Sequence, residues 1–167
     1  AKCPMVIVPQ GEIACVVSAA GAQIPPERLL AKVIACDNFQ DARAFLTSGG
    51  EKGRQLGILT AGSYRINPAL FTVITADRAH DHGMIPEQLA VTRIQPDMVG
   101  IVTTLDGRPI EPGDIAGGLI HDHDNFQNAQ SFLADGGRRG LQEQVLLSGA
   151  WNLNPWFAHV EQVDMVE

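Results

Sequence analysis

The sequence predicts two tandem modules, each a set of short strands around one short helix. The first observation behind this is a repeat. Asp37 to Gly53 reads DNFQDARAFLTSGGEKG and Asp124 to Gly140 reads DNFQNAQSFLADGGRRG, an offset of 124 − 37 = 87 residues. Carried on to Asp77 and Asp164, the offset leaves 17 of 41 paired positions identical, among them Gln55 with Gln142 and Asn67-Pro68 with Asn154-Pro155. Self-similarity at a fixed period marks one structural unit used twice. The second observation is a helix signature inside the repeat. The third is a set of β-forming runs on either side of it, bounded by Gly and Pro.

The helix signature has a start, a face and a stop. Asp37 with Gln40, and Asp124 with Gln127, have the spacing of a capping box, in which Asp accepts from a free N–H and Gln reaches back to the cap. Phe39, Ala42, Phe45 and Leu46 then share a helical face, as do Phe126, Ala129, Phe132 and Leu133. Gly49-Gly50 and Gly136-Gly137 end the helices, because Gly takes a left-handed conformation without steric cost. A helix of two to three turns is marginal alone and must pack on something.

In chain order, Val6 to Val8 is a lead-in strand and Glu12 to Ser18 a second strand. Pro25-Pro26 forbids helix in the turn region from Gly21. Glu27 to Cys36 is ambiguous between helix and strand, with Val33-Ile34 favouring strand. After the first helix, Gln55 to Thr60 is a strand. Ala61 to Pro68 turns at Gly62 and at Asn67-Pro68, and Leu70 to Thr75 closes the module. Asp77 to Ala90 joins the modules, with the boundary set at 80/81: residues 1–80 form the first and 81–167 the second. Val91 to Ile94 and Met98 to Thr104 repeat the first two strands. Asp106-Gly107 has hairpin-turn chemistry. Val145 to Leu147 and Ala158 to Val160 repeat the remaining strands. Tyr64 and Trp151 occupy the same repeat position, which predicts buried aromatics that hold the Asn-Pro turn on the sheet.

Composition narrows the function classes. With 45% hydrophobic and 19% charged residues, this is an ordinary globular chain. The net charge of −7, without a cluster of Lys and Arg, argues against nucleic acid and a polybasic membrane contact. Three thiols in the first half, Cys3, Cys15 and Cys36, make no disulfide framework, which leans to a cytoplasmic setting. No run of about 18 apolar residues spans a bilayer. The chain starts without Met and stops within the alternating stretch Val163 to Glu167, as a piece of a longer protein would.

The run NFQDARAFL with its following GG–G–Q, and then GSYRINPALFTV, resembles the SPFH (band 7) superfamily, which includes stomatin, prohibitin and flotillin. It is most similar to bacterial flotillin-like proteins with tandem modules. The segment Gly62 to Phe71 carries the most specific part. The second copy departs from it between Ala150 and Phe157 but keeps Gly149, Asn154 and Pro155. The resemblance implies an α+β fold, with a strongly bent antiparallel sheet and a short capped helix in each of two modules. It also implies a non-enzymatic, membrane-associated scaffold. Its copies would assemble laterally into a ring or cage that organises a membrane microdomain. Lipids would be met through an anchor outside this chain, and membrane proteins would be its clients. The family has no catalytic residues to carry over to these positions.

The competing reading is metal chemistry. His80-Asp81-His82 and His121-Asp122-His123-Asp124 are two His-x-His clusters. On a strand, residues i and i+2 share a face, so two imidazoles and a carboxylate could hold Zn²⁺ for binding or catalysis. The first cluster falls in the intermodule segment. The second falls before a helix, where polar capping residues are expected. The Gly pairs follow the helices, the reverse of a nucleotide loop. Cys36 precedes the helix, where a thiolate would be stabilised, but its counterpart is His123, so no nucleophile is assigned. No catalytic residue, cofactor or metal is expected. Arg138 and Arg139 are candidates to meet acidic residues of a neighbouring copy.

Overall fold

A computed structural model describes residues 4–165 as an α+β chain in two compact units, Ala1–Ala90 and Val91–Glu167. Cys3 and the end of the alternating stretch at residues 166–167 lie outside the described residues.

In the first unit β1 (Met5–Val8) pairs antiparallel with β4 (Gly62–Arg65). Strand β2 (Ala14–Ser18) lies between β3 (Gly53–Leu59) and β5 (Phe71–Ile74), antiparallel to both. The buried side of β2 follows from its β-branched and small residues: Ala14, Cys15 and Val16 are all inaccessible to solvent. Helix α1 (Ala42–Thr47) precedes β3. Phe45 at its centre meets Phe71 of β5 edge-on at 4.9 Å, and Phe71 meets Phe39 at 5.2 Å. These rings fill the core with Val16, Leu59 and Ile66.

The second unit holds β6 (Thr92–Ile94) paired with β10 (Gly149–Trp151). Its larger sheet sets β7 (Met98–Thr104) between β9 (Arg138–Leu146) and β11 (Ala158–Asp164). Helix α2 (Ala129–Ala134) precedes β9. Phe132 packs against Phe126 at 5.4 Å and Phe157 at 5.6 Å.

Several expectations are corrected. Gly62 begins a strand rather than a turn, because residues 62–65 find a partner in β1. Glu27 to Cys36 forms no strand; its single bridge sets Ala31 parallel to Gln55 on the outer edge of β3. Asp106-Gly107 closes no hairpin: β8 (Arg108–Pro109) runs parallel to β9 instead of returning along β7. The segment joining the modules folds into two 3₁₀ helices, Ala76–His82 and Pro86–Leu89. Residues 81–90, assigned above to the second module, pack with the first unit. There the Ile13 N–H donates to the Leu89 carbonyl at 2.9 Å and Glu12 bridges Ala90.

Each larger sheet carries a slip of register. Cys15 faces Ile58 and Val17 faces Arg54, so two steps on β2 oppose four on β3. Ile101 facing Val145 and Thr103 facing Leu141 repeat this on β7 and β9. Extra residues in one strand bend it and strengthen its twist.

Candidate functional site

The repeated Asp-Asn-Phe-Gln does not begin a right-handed helix. Asp37, Asn38 and Phe39 have φ of 54°, 53° and 65°, and Asp124, Asn125 and Phe126 have φ of 51°, 54° and 68°. Three consecutive residues thus make a left-handed turn, which costs on the order of 1–2 kcal/mol per residue for most side chains. Asp and Asn tolerate this region because their short polar side chains bond locally. Phe does not, and its place there is stabilised by burial, to 7% exposure for Phe39 and 1% for Phe126. Burying such a ring fully contributes about 1.5–3 kcal/mol.

The glutamine that follows locks each turn. Gln40 Nε2 donates to the Asp37 carbonyl at 3.2 Å, and its Oε1 accepts from the Arg65 N–H at 2.8 Å. Gln127 does the same between Asp124 and the Asn152 N–H, at 3.2 and 2.7 Å. One amide therefore ties the turn to the end of β4 or β10. The helix caps lie four residues beyond the expected sites. Asp41 Oδ1 accepts from the Ala44 N–H at 2.9 Å, and Asn128 Oδ1 from the Ser131 N–H at 3.1 Å. Positive φ at residues 37–39 and 124–126 excludes them from a right-handed helix, so each helix is six residues long. Phe39 and Phe126 accordingly stand outside the helices they were expected to line, and Leu46 is 48% exposed. A sequence signal for the true caps existed in Asp41 and Asn128, both good capping types at matched positions.

Both helices stop as expected. Gly49 and Gly136 take φ of 89° and 91°. The Gly50 and Gly137 N–H groups donate to the Phe45 and Phe132 carbonyls, both at 2.8 Å, the six-to-one bond of a Schellman end. The second Gly of each pair is required for a different reason. A Cβ on Gly50 would sit 2.5 Å from the Phe45 ring, and one on Gly137 2.2 Å from Phe132.

Ahead of each turn sits an acceptor that differs between the units. His123 is 2% exposed, its Nδ1 accepts from the Phe126 N–H at 2.8 Å, and its ring contacts Phe126 and Phe132. Cys36 stands at the matching position, buried, with its sulfur bonded to the Phe39 backbone. Burial, helped by Asp41 and Asp37, pushes the Cys36 thiol up despite that bond. Burial pushes Cys15 up to about 12, opposed by Arg54. Raised thiols are poor nucleophiles at neutral pH, so the geometry offers no activated cysteine among the described residues.

The His-x-His clusters do not converge on a metal geometry. His80 and His82 lie exposed on a 3₁₀ helix, not on a strand. His121, Asp122 and Asp124 are exposed around a cavity of about 390 Å³, into which His123 brings a ring whose Nδ1 is already engaged. Among the described residues no group of three or more His, Cys, Asp or Glu is placed to hold a metal ion.

Two other repeated polar residues lie in the strand stretches where the register slips. Gln55, 1% exposed, donates from Nε2 to the Glu51 and Gly53 carbonyls at 2.7 and 2.8 Å. Gln142 donates to the Arg138 and Gly140 carbonyls at 2.6 and 2.9 Å and to Thr104 Oγ1 at 3.1 Å. Each amide stands in the slipped stretch and bonds back to carbonyls of the chain just before it. Tyr64 is buried as expected and its hydroxyl donates to the Thr60 carbonyl at 2.7 Å. Trp151 donates to the Leu147 carbonyl at 3.1 Å but is only half-buried, lying over Gly149. Arg138 is engaged within its own unit, by Glu111 at 2.7 Å, while Arg139 is exposed.

Comparison with protein families, with curated proteins and with solved structures finds no match to this chain. Among the described residues no helix is long and apolar enough to cross a membrane.

Proposed function

We propose that the chain is a non-enzymatic scaffold segment made of two tandem SPFH-like modules, part of a flotillin-like protein whose copies assemble side by side at a membrane. The observation that carries this is the recurrence of one construction in both units. Each has a central strand between two antiparallel neighbours, a register slip with a buried Gln inside it, a left-handed Asp-Asn-Phe-Gln turn, and a Schellman-ended helix. These residues are committed to holding shape, as a repeated building block requires. The Gly-x-Tyr-x-Ile-Asn-Pro-x-Leu-Phe segment links that construction to the superfamily. Arg139, rather than the internally bonded Arg138, is the basic residue offered to a neighbour's carboxylates. With a net charge of −7, close packing of many copies needs such opposite charges at the seam. Head-to-tail contacts of this kind close into rings when the rotation permits.

Chemical cross-linking of the intact protein in its native membrane tests the reading. A ladder of multiples is expected, and Arg139→Glu should shorten it. A single monomer band at every cross-linker concentration would overturn the proposal.

A further inference from the structure

The first unit carries a groove of about 600 Å³ that none of the preceding roles uses. Its walls are unusual in one respect. Four consecutive residues, Pro4 to Ile7, line one side, and three consecutive residues, Phe71 to Val73, line the other. Side chains alternate along a strand, so a wall made of consecutive residues is a strand edge and not a face. Among the described residues β1 pairs only with β4 and β5 only with β2. The groove is therefore bounded by the two outer edges, and an outer edge presents N–H and C=O groups to a further strand, although the Phe71 N–H at the start of β5 is already donated to the Asn67 carbonyl at 3.0 Å.

The remaining lining gives the occupant its chemistry. Met5 and Ile7, 48% and 63% exposed, supply apolar walls together with Pro68, and the 3₁₀ helix Ala76–His82 brings Arg78 and His82 to one end. Asp77 at that end accepts from the Thr75 hydroxyl. Arg78 meets Asp81 only at 3.9 Å, with both side chains largely exposed, a pairing of little strength. We propose that the groove takes an extended peptide segment that adds along the outer edge of β5. Its apolar side chains would lie against Met5, Ile7 and Pro68, and a carboxylate beside Arg78 and His82. Strand addition of this kind draws affinity from main-chain bonds and specificity from alternate side-chain pockets. The size of the groove falls in the range of ligand sites.

The probe is an acetyl-Thr-Val-Thr-Val-Glu peptide with an amidated C-terminus, titrated into the 167-residue chain, with backbone amide shifts followed by NMR. Saturable binding is expected, with shifts confined to Thr72, Val73, the facing residues of β1, and Arg78 and His82 at the carboxylate end. N-methylation of the two Val nitrogens should weaken binding about tenfold, because each methyl removes a main-chain donor to the β5 edge. Arg78→Glu should weaken the Glu-terminated peptide several-fold and leave a Gln-terminated one unchanged. Equal binding of the N-methylated peptide, or no saturation at millimolar peptide, overturns the proposal. So does a chain that sediments as a dimer and excludes the peptide, since a second copy would then fill the groove.

Discussion

At the scale of single residues, the polar repeat positions act as internal ties. Gln40 and Gln127 each join a left-handed turn to a strand end, and their loss leaves the Arg65 or Asn152 N–H without its partner. Gln40→Leu and Gln127→Leu should each cost about 1–3 kcal/mol in urea unfolding; a change within the error of the midpoint would contradict the role. Tyr64→Phe should cost about 1 kcal/mol through the bond to the Thr60 carbonyl. Trp151→Ala should fall below the ~3–5 kcal/mol of a buried large aromatic, because the ring is half-buried, and thermal melts compare the two. Cys15 gives a pH dependence of known sign. Its thiol ionises near 9.0 ordinarily and near 12 when buried, so the native state holds a proton that the unfolded chain releases. Stability is complete below about 9 and declines as pH rises toward about 12. Cys15→Ala should flatten that decline, and urea midpoints at stepped alkaline pH measure it.

At the scale of elements, the strands were the most legible part. Met98–Thr104 was read to the residue, because a β-branched run between Pro96 and Gly107 admits few alternatives. The glycine stops were equally plain, since Gly49 and Gly136 need left-handed φ. The helix starts were not. An Asp with Gln three residues on fits a capping box, and nothing local tells that Asp-Asn-Phe will wind the other way. Only the tertiary bonds of Gln40 and Gln127, across 25 residues, decide it. The 3₁₀ segments after Thr75 and the parallel β8 were hidden for a related reason, being fixed by packing rather than by local pattern. Of the candidate sites, the position shared by Cys36 and His123 was visible in the alignment of the halves. Its role was not, because a thiol and an imidazole can both donate, accept and bind metal, and only the Phe N–H that faces them selects the acceptor role. The two Gly pairs divide their roles, and Gly50→Ala and Gly137→Ala test that division. Each places a methyl group inside a Phe ring, so overpacking should cost about 1–3 kcal/mol or more. Melting temperatures equal to that of the unsubstituted chain would show that the ring yields freely.

At the scale of the whole molecule, the proposed function rests on a shape used twice and on residues spent on keeping it. Both units carry short strands whose outer edges need cover. The connection through Ala31 covers part of the β3 edge, and that through Gly117 does so for β9. The β1 and β5 edges are open among the described residues. A laterally assembling scaffold puts exposed surface to use, and its defining property is mass. Light scattering of the intact protein in mild detergent measures this most directly. The account predicts a large assembly of many copies that Arg139→Glu makes smaller, and a monomer across the accessible concentration range would contradict it.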